Sequence, residues 1–175
     1  LVFNSIYTSE HYDARLEQPG WSAPGFDDSA WGGVMYRGAP SQRVTAQQTV
    51  PIRNVTQYRP RSVRKLDERS YLYDFGQNMA GVTKLRLRGE AGTQLRLIHA
   101  ERLREDGHAD LSNIDVYFRP TDKDDLFQTD VVTLSGRDDE FMPRFNYKGF
   151  RYVEVVADRP VELSAEILTA YAMHS

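Results

Sequence analysis

Asp74-Phe75-Gly76-Gln77-Asn78-Met79-Ala80-Gly81-Val82-Thr83 separates a nucleotide-binding fold from a β-sheet fold. Gly76 and Gly81 stand at the spacing of a phosphate-cradling loop, and Asp74-Phe75-Gly76 spells a tripeptide found in kinases. A phosphate loop needs Lys directly after its second glycine, then Ser or Thr, at the start of a helix. Here Val82 occupies the Lys position, and Lys84-Leu85-Arg86-Leu87-Arg88 follows Thr83. Val82, Leu85 and Leu87 carry an apolar side, with basic residues between the last two, which is a strand signal. The stretch therefore predicts strand, tight glycine turn, strand. Without a helix N-terminus there is no row of free N–H groups for a phosphate. The kinase reading also fails, because no Gly-rich loop, catalytic loop or paired lysine accompanies the tripeptide.

Working outward, the alternation continues. Tyr71–Phe75 and Val82–Arg88 read as strands, Gly89–Gly92 as a hairpin turn, and Thr93–Glu101 as the return strand. After a long loop over 103–125, Phe127–Leu134 reads as a strand closed by Ser135–Asp139. Phe141–Phe145, Gly149–Ala157 and Val161–Met173 complete the set. Towards the N-terminus, residues 1–9 hold a short apolar run. Residues 10–33 are loop-like, with Pro19-Gly20 and Pro24-Gly25 as turn signals. Residues 51–65 suit an extended crossing or an edge strand. No convincing amphipathic helix is present. Short strands separated by Gly, Pro and Asp turns predict an all-β fold, a jelly-roll β-sandwich of galactose-binding-like type with long loops and little helix. The expected organisation is a single domain over 1–175, loop-rich over 1–69 and regularly stranded over 70–175.

Composition narrows the function classes. The 175 residues are 40% hydrophobic, enough to bury a core. With no cysteine there is neither a disulfide framework nor a thiolate metal site. A net charge of −3, with the basic residues scattered among acids, lacks the footprint of nucleic-acid binding. Arg53, Arg59, Arg61, Arg64, Lys65 and Arg69 form the one positive cluster, which reads as a solvated face or a docking surface for another part of the same protein. No apolar run reaches the length of a membrane span. Leu1-Val2-Phe3 at one end and Met173-His174-Ser175 at the other read as cuts in a longer protein.

Four constellations bear on chemistry. His99 and Glu101 are two apart on a predicted strand, hence on one face. A zinc site would need a further fixed ligand such as His108 or Asp110, so a hydrogen-bonded strand end is the simpler reading. Asp27-Asp28, Asp124-Asp125 and Asp138-Asp139 read as turn residues that bond their own backbone. Asp13, Asp27, Asp28, Asn78, Asn113 and Asp115 could supply the oxygen ligands of calcium, although Asp122-Lys123-Asp124 lacks the Gly and Glu of an EF-hand loop. Tyr12, Trp21, Trp31, Tyr117, Phe118 and Tyr147 lie in or beside loops. Flat aromatics beside Arg, Asn and Asp suit a carbohydrate pocket, and a Trp anchoring the base of a loop is the plainer alternative.

Taken together, several runs resemble one family. They are Tyr12-Asp13-Ala14-Arg15-Leu16-Glu17, Pro19-Gly20-Trp21, Gly25–Trp31, Asp74–Asn78 with Gly81, His99-Ala100-Glu101 with Asp106-Gly107, Pro143-Arg144-Phe145 with Tyr147, and Gly149–Val155. In order and spacing they are similar to bacterial α-L-rhamnosidases of glycoside hydrolase family 78. The resemblance implies an exported enzyme, periplasmic or extracellular, that removes terminal α-L-rhamnose with inversion. Its catalytic glutamates would sit in a separate C-terminal (α/α)6 barrel. It implies that this stretch is a non-catalytic accessory sandwich, without catalytic residues of its own. Some members carry a calcium-dependent rhamnose-binding jelly roll, carbohydrate-binding module family 67. On that basis Asp13, Arg15, Trp21, Asn78, Glu101, Asn113 and Tyr117 are the expected glycan ligands, and Asp13, Asn113 and Asp115 the expected calcium ligands. Expected partners are a rhamnose-containing glycan and the barrel, without nucleic acid or a membrane span. The alternative is a purely structural sandwich that packs on the barrel and shapes its cleft.

Overall fold

A computed structural model describes residues 1–117 and 125–175. Phe118 and Asp122–Asp124 lie outside the described residues. The strands are β1 (Phe3–Asn4), β2 (Glu10–Asp13), β3 (Arg53–Tyr58), β4 (Ser62–Lys65), β5 (Ser70–Arg88) and β6 (Gln94–Ala100). They continue with β7 (Arg102–Leu103), β8 (Ala109–Asp110), β9 (Thr129–Thr133), β10 (Asp138–Phe141), β11 (Lys148–Ala157) and β12 (Leu168–His174). The main sheet runs β1-β2-β9-β6-β11-β5-β12-β3, with β4 and β10 also pairing to β5. β7 and β8 pair separately. The fold is all-β, a sheet curled into a sandwich, as composition and turn spacing predicted.

β5 corrects the expected glycine turn. It is one 19-residue strand straight through the quoted stretch. Its first part lies between β4 and β11, its middle and later part pairs with β12, and Leu85–Arg88 pair with β10. Tyr71, Tyr73, Phe75, Met79, Thr83 and Leu85, all at odd positions, are buried, and Gln77 is the exposed exception in that series. A turn would have reversed direction, whereas here the strand bends. Gly76 takes φ +75°, open to glycine at no steric cost, and Asp74 Oδ1 accepts the Gly76 N–H at 2.6 Å. At Gly81 a β-carbon would run into the Tyr171 carbonyl, so only glycine lets β12 come this close. The β11 register shifts between Phe150 and Tyr152, opposite this bend. The glycines thus serve backbone geometry, and they let one strand serve both halves of the sandwich.

Two further expectations change. Residues 89–92 do turn, with Thr93 N–H bonding to Glu90 O at 3.1 Å. They do not make a hairpin, because β6 pairs with β9 and β11 rather than with β5. The strand expected over Phe141–Phe145 is instead β10, which ends at Phe141. Asp138-Asp139 lies within it opposite Arg88 and Leu87, and Asp139 accepts from Ser135 N and Oγ at 2.7 and 2.5 Å.

The core is Tyr73, Phe75, Leu85, Leu95, Leu97, Phe150, Val153 and Leu168 with their neighbours. Each fully buried side chain of this size is worth roughly 1.5–3 kcal/mol of apolar transfer. At one end the core turns polar. Lys148 Nζ bonds Asp130 Oδ1 at 2.7 Å, with 4% and 0% of the side chains exposed. The same Asp130 oxygen accepts Glu10 N–H at 2.9 Å. Glu10 Oε1 in turn accepts the N–H groups of Arg144 and Phe145 at 2.8 and 2.7 Å. This network ties β2, which runs parallel to β9, to the start of β11.

Candidate functional site

Where β2 ends, Asp13 caps a 3-10 turn over Ala14–Leu16. Its carboxylate accepts Arg15 N at 3.0 Å, and Ala14 is buried and anchors the turn to the sheet. A train of tight turns follows: Trp21 N bonds Gln18 O at 3.3 Å, Ala23 N bonds Gly20 O at 2.8 Å, and Trp31 N bonds Asp28 O at 2.8 Å. Asp27 Oδ1 accepts Ser29 N at 3.0 Å, the self-bonded turn the sequence predicted for Asp27-Asp28.

These turns raise one wall of a groove of about 560 Å³, and the segment Glu140–Phe145 supplies part of the other. Tyr12, Leu16, Trp21, Trp31, Phe141 and Phe145 give it an aromatic and aliphatic lining, with Glu17, Gln18 and Arg144 among its polar groups. Trp21 is 57% exposed and Trp31 48%, so neither anchors the loop in the core. Trp31 Nε1 donates to Gln18 Oε1 at 2.7 Å, which fixes the ring. The Tyr12 ring stacks on Phe141 at 5.5 Å. Burial, with Glu17 accepting from its hydroxyl, pushes the Tyr12 phenol up to about 12, so it stays protonated and donates.

Asp13, Arg15, Asn78, Glu101, Asn113 and Asp115 are not part of that lining. Asp13 spends its carboxylate on its own neighbour: Oδ1 accepts Arg15 Nε at 2.9 Å and Oδ2 a terminal guanidinium nitrogen of Arg15 at 2.6 Å. The hydrogen-bonded guanidinium holds the Asp13 carboxyl below its usual range. A calcium ion there would have to displace Arg15. Asn78 and Glu101 do come together, with Nδ2 to Oε1 at 2.8 Å. Asn113 Oδ1 is buried without a hydrogen-bond partner among the described residues, an acceptor that a water or a cation could use. Asp115 and Tyr117 open and close a second 3-10 turn. Among the described residues no three His, Asp or Glu side chains converge as a metal cage.

His99 is not beside Glu101 as a ligand pair, because the strand ends at Ala100. His99 is fully buried, its Nε2 2.9 Å from Thr83 Oγ1 and its Nδ1 3.3 Å from the Gln128 carbonyl. Burial, with Lys148 nearby, lowers it to about 4, so it is neutral in the fold. His108 pairs with Glu154 at 2.7 Å and Asp110 with Arg102 at 2.5 Å. The basic cluster is partly consumed as well: Arg64 donates to Gly107 O at 2.9 Å and Lys65 pairs with Glu162. Sequence reasoning named the tryptophans but not Glu10, Glu140, Met142 or Phe145 as their neighbours. No local signal could have found Glu10, whose partners lie 134 and 135 residues away.

The chain matches two families. Residues 64–174 match the bacterial alpha-L-rhamnosidase concanavalin-like domain, and residues 1–56 the alpha-L-rhamnosidase N-terminal domain. β1 and β2, from the second of these stretches, pair into the same sheet as strands of the first. An α-L-rhamnosidase of Streptomyces avermitilis is 38% identical over 100% of the chain and 16% of its own length. One from Alteromonas sp. is 34% identical over 89% of the chain and 16% of its own length. Among solved structures, the α-L-rhamnosidase of Dictyoglumus thermophilum superposes with a TM-score of 0.82 at 35% identity, covering 98% of this chain and 18% of that one. The S. avermitilis α-L-rhamnosidase complexed with L-rhamnose gives 0.82 at 38% identity, covering 97% and 16%. The chain thus spans about a sixth of the length of these relatives.

Proposed function

The chain belongs to the bacterial α-L-rhamnosidase family, as an N-terminal accessory region, and we propose that it acts there as a non-catalytic domain that holds a rhamnose-containing glycan. In this reading the whole protein is an exported glycosidase that removes terminal α-L-rhamnose, and the catalytic barrel lies in another part of it. The observation that supports glycan holding is the exposure of Trp21, at 57%, at the mouth of a groove beside the Asp13–Leu16 turn. A tryptophan that served only to anchor its loop would bury its ring. A calcium ion held by Asp13, Asn113 and Asp115 is a separate element of the reading, and glycan holding does not depend on it. Asn113 supports it with its unpartnered oxygen, and the Asp13–Arg15 pair opposes it.

A second reading has its own observation. Val34, Tyr36 and Val44 are 90%, 96% and 94% exposed, an apolar arm of the kind a neighbouring domain covers. In that reading the sandwich packs on the barrel and binds no sugar itself.

Calorimetric titration of the chain with L-rhamnose, in calcium and then in chelator, separates the two. Heat of binding in either condition supports glycan holding, and its loss in chelator assigns calcium a role. Absence of heat at millimolar sugar in both conditions leaves the packing reading. The chain alone is expected to release no nitrophenol from nitrophenyl α-L-rhamnoside.

A further inference from the structure

Trp21 and Trp31 are the only tryptophans of the chain, and both line the same groove. Its volume of about 560 Å³ falls within the roughly 300–1,000 Å³ of small-molecule sites. Both indoles are about half exposed, in turns whose backbone hydrogen bonds are already made, so the rings are presented to solvent by a fixed loop rather than left over from a disordered one.

The acids of the groove decide what kind of ligand fits. Glu10 is 2% exposed, and its Oε1 is taken by two backbone N–H groups. Glu140 pairs with both Lys84 and Arg86, each at 2.6 Å. Glu17 accepts from the Tyr12 hydroxyl. Each carboxylate is therefore met by a donor of the fold, which removes the reason for a cation to sit between these aromatic rings. Each also keeps spare lone pairs, since a carboxylate offers about four acceptor sites. Acceptors without uncompensated charge, facing flat aromatic walls, match a neutral polyol with an apolar face. Leu16 and Met142 add aliphatic surface suited to a methyl substituent.

We propose that this groove is a metal-independent subsite for a neutral deoxyhexose ring at the end of a glycan, with Trp21 and Trp31 packing on its C–H face and Glu17, Gln18 and Arg144 meeting its hydroxyls. The inference rests on the glycan-holding reading above and assigns it a place that needs none of Asp13, Asn113 or Asp115.

The test uses intrinsic tryptophan fluorescence, which in this chain reports on the groove alone, beside calorimetry, with methyl α-L-rhamnoside as the probe in chelator. The expected result is a saturable fluorescence change and a matching binding curve, unaffected by chelator. Trp21→Ala should weaken binding about tenfold or more, as loss of a central aromatic contact does. Trp31→Phe should remove part of the fluorescence change while leaving the melting temperature in place, which guards against misfolding. Calorimetric binding with silent tryptophans, indifferent to Trp21→Ala, would overturn the groove and leave glycan holding intact. Binding abolished by chelator would overturn metal independence. A fluorescence response to tetramethylammonium but not to the glycoside would show a cation cage instead. Silence in both readouts would overturn the groove and the glycan-holding reading together.

Discussion

Residues 70–100 and residues 17–52 are stretches of similar length that fold by opposite rules. The first is mostly strand, and Tyr71, Tyr73, Phe75, Met79, Thr83 and Leu85 are buried at odd positions, with Gln77 the exposed exception. The second has no regular structure, is exposed almost throughout, and is held by backbone turn bonds that span three residues or fewer, together with the Trp31–Gln18 side-chain bond. The lesson is a division of labour. Stability is concentrated where side chains reach across the sandwich, and the exposed groove wall is built where the backbone satisfies itself locally and side chains face solvent.

The contrast can be broken at its strongest point first. Lys148→Met removes the cation paired with the buried Asp130 carboxyl, and is expected to destabilise the fold by about 3–5 kcal/mol, seen as a fall in the urea midpoint. A change below about 1 kcal/mol would mean that the polar end of the core is not integral to the sandwich.

Acid is the next lever. His99 is neutral in the fold and protonates only near pH 4, whereas the unfolded chain protonates near 6.5. Between these values the unfolded state binds more protons, so stability is complete above pH 6.5 and declines as pH falls towards 4. The loss at pH 5 is expected to be on the order of 2 kcal/mol. Urea melts at pH 7 and pH 5 measure it, and a His99→Gln variant should lose most of the difference between them.

Asp74→Ala tests the bend itself. Asp74 holds the Gly76 N–H and takes two bonds from Arg151, both 2.9 Å. Its removal should cost about 1–2 kcal/mol, read as a lower thermal midpoint with the strand content kept. The smallest effect belongs to the arm: Val34→Ser and Val44→Ser should shift stability by no more than about 0.5 kcal/mol. A larger loss would show that this stretch is packed after all and would erase the contrast.

Much of the scaffold is legible in the amino-acid sequence. Alternation in Tyr71–Phe75 and Val82–Arg88 reported strands because a pleated sheet sends neighbours to opposite faces. The error at Gly76 and Gly81 has a clear cause. Two glycines in a strand signal either a turn or a close approach, and local sequence does not separate them. The odd-numbered positions Phe75, Met79 and Thr83 are the available clue, interrupted by Gln77 and Gly81. The site was legible only in part. Turn chemistry placed Trp21 and Trp31 on a loop, but the residues that face them across the groove come from Glu140–Phe145, more than a hundred positions away.

The class of fold, the turns around Asp27 and the family follow from residue type at short spacing, so they can be read from the chain's residues alone. Tertiary structure alone decided that β5 bends instead of turning, that Asp13 is claimed by Arg15 while Asn113 keeps an unpartnered oxygen, and that His99 is a buried neutral strut. It also decided that both tryptophans open onto one groove. These outcomes depend on which distant strand arrives alongside, and burial, charge pairing and the shape of a cleft exist only once it has.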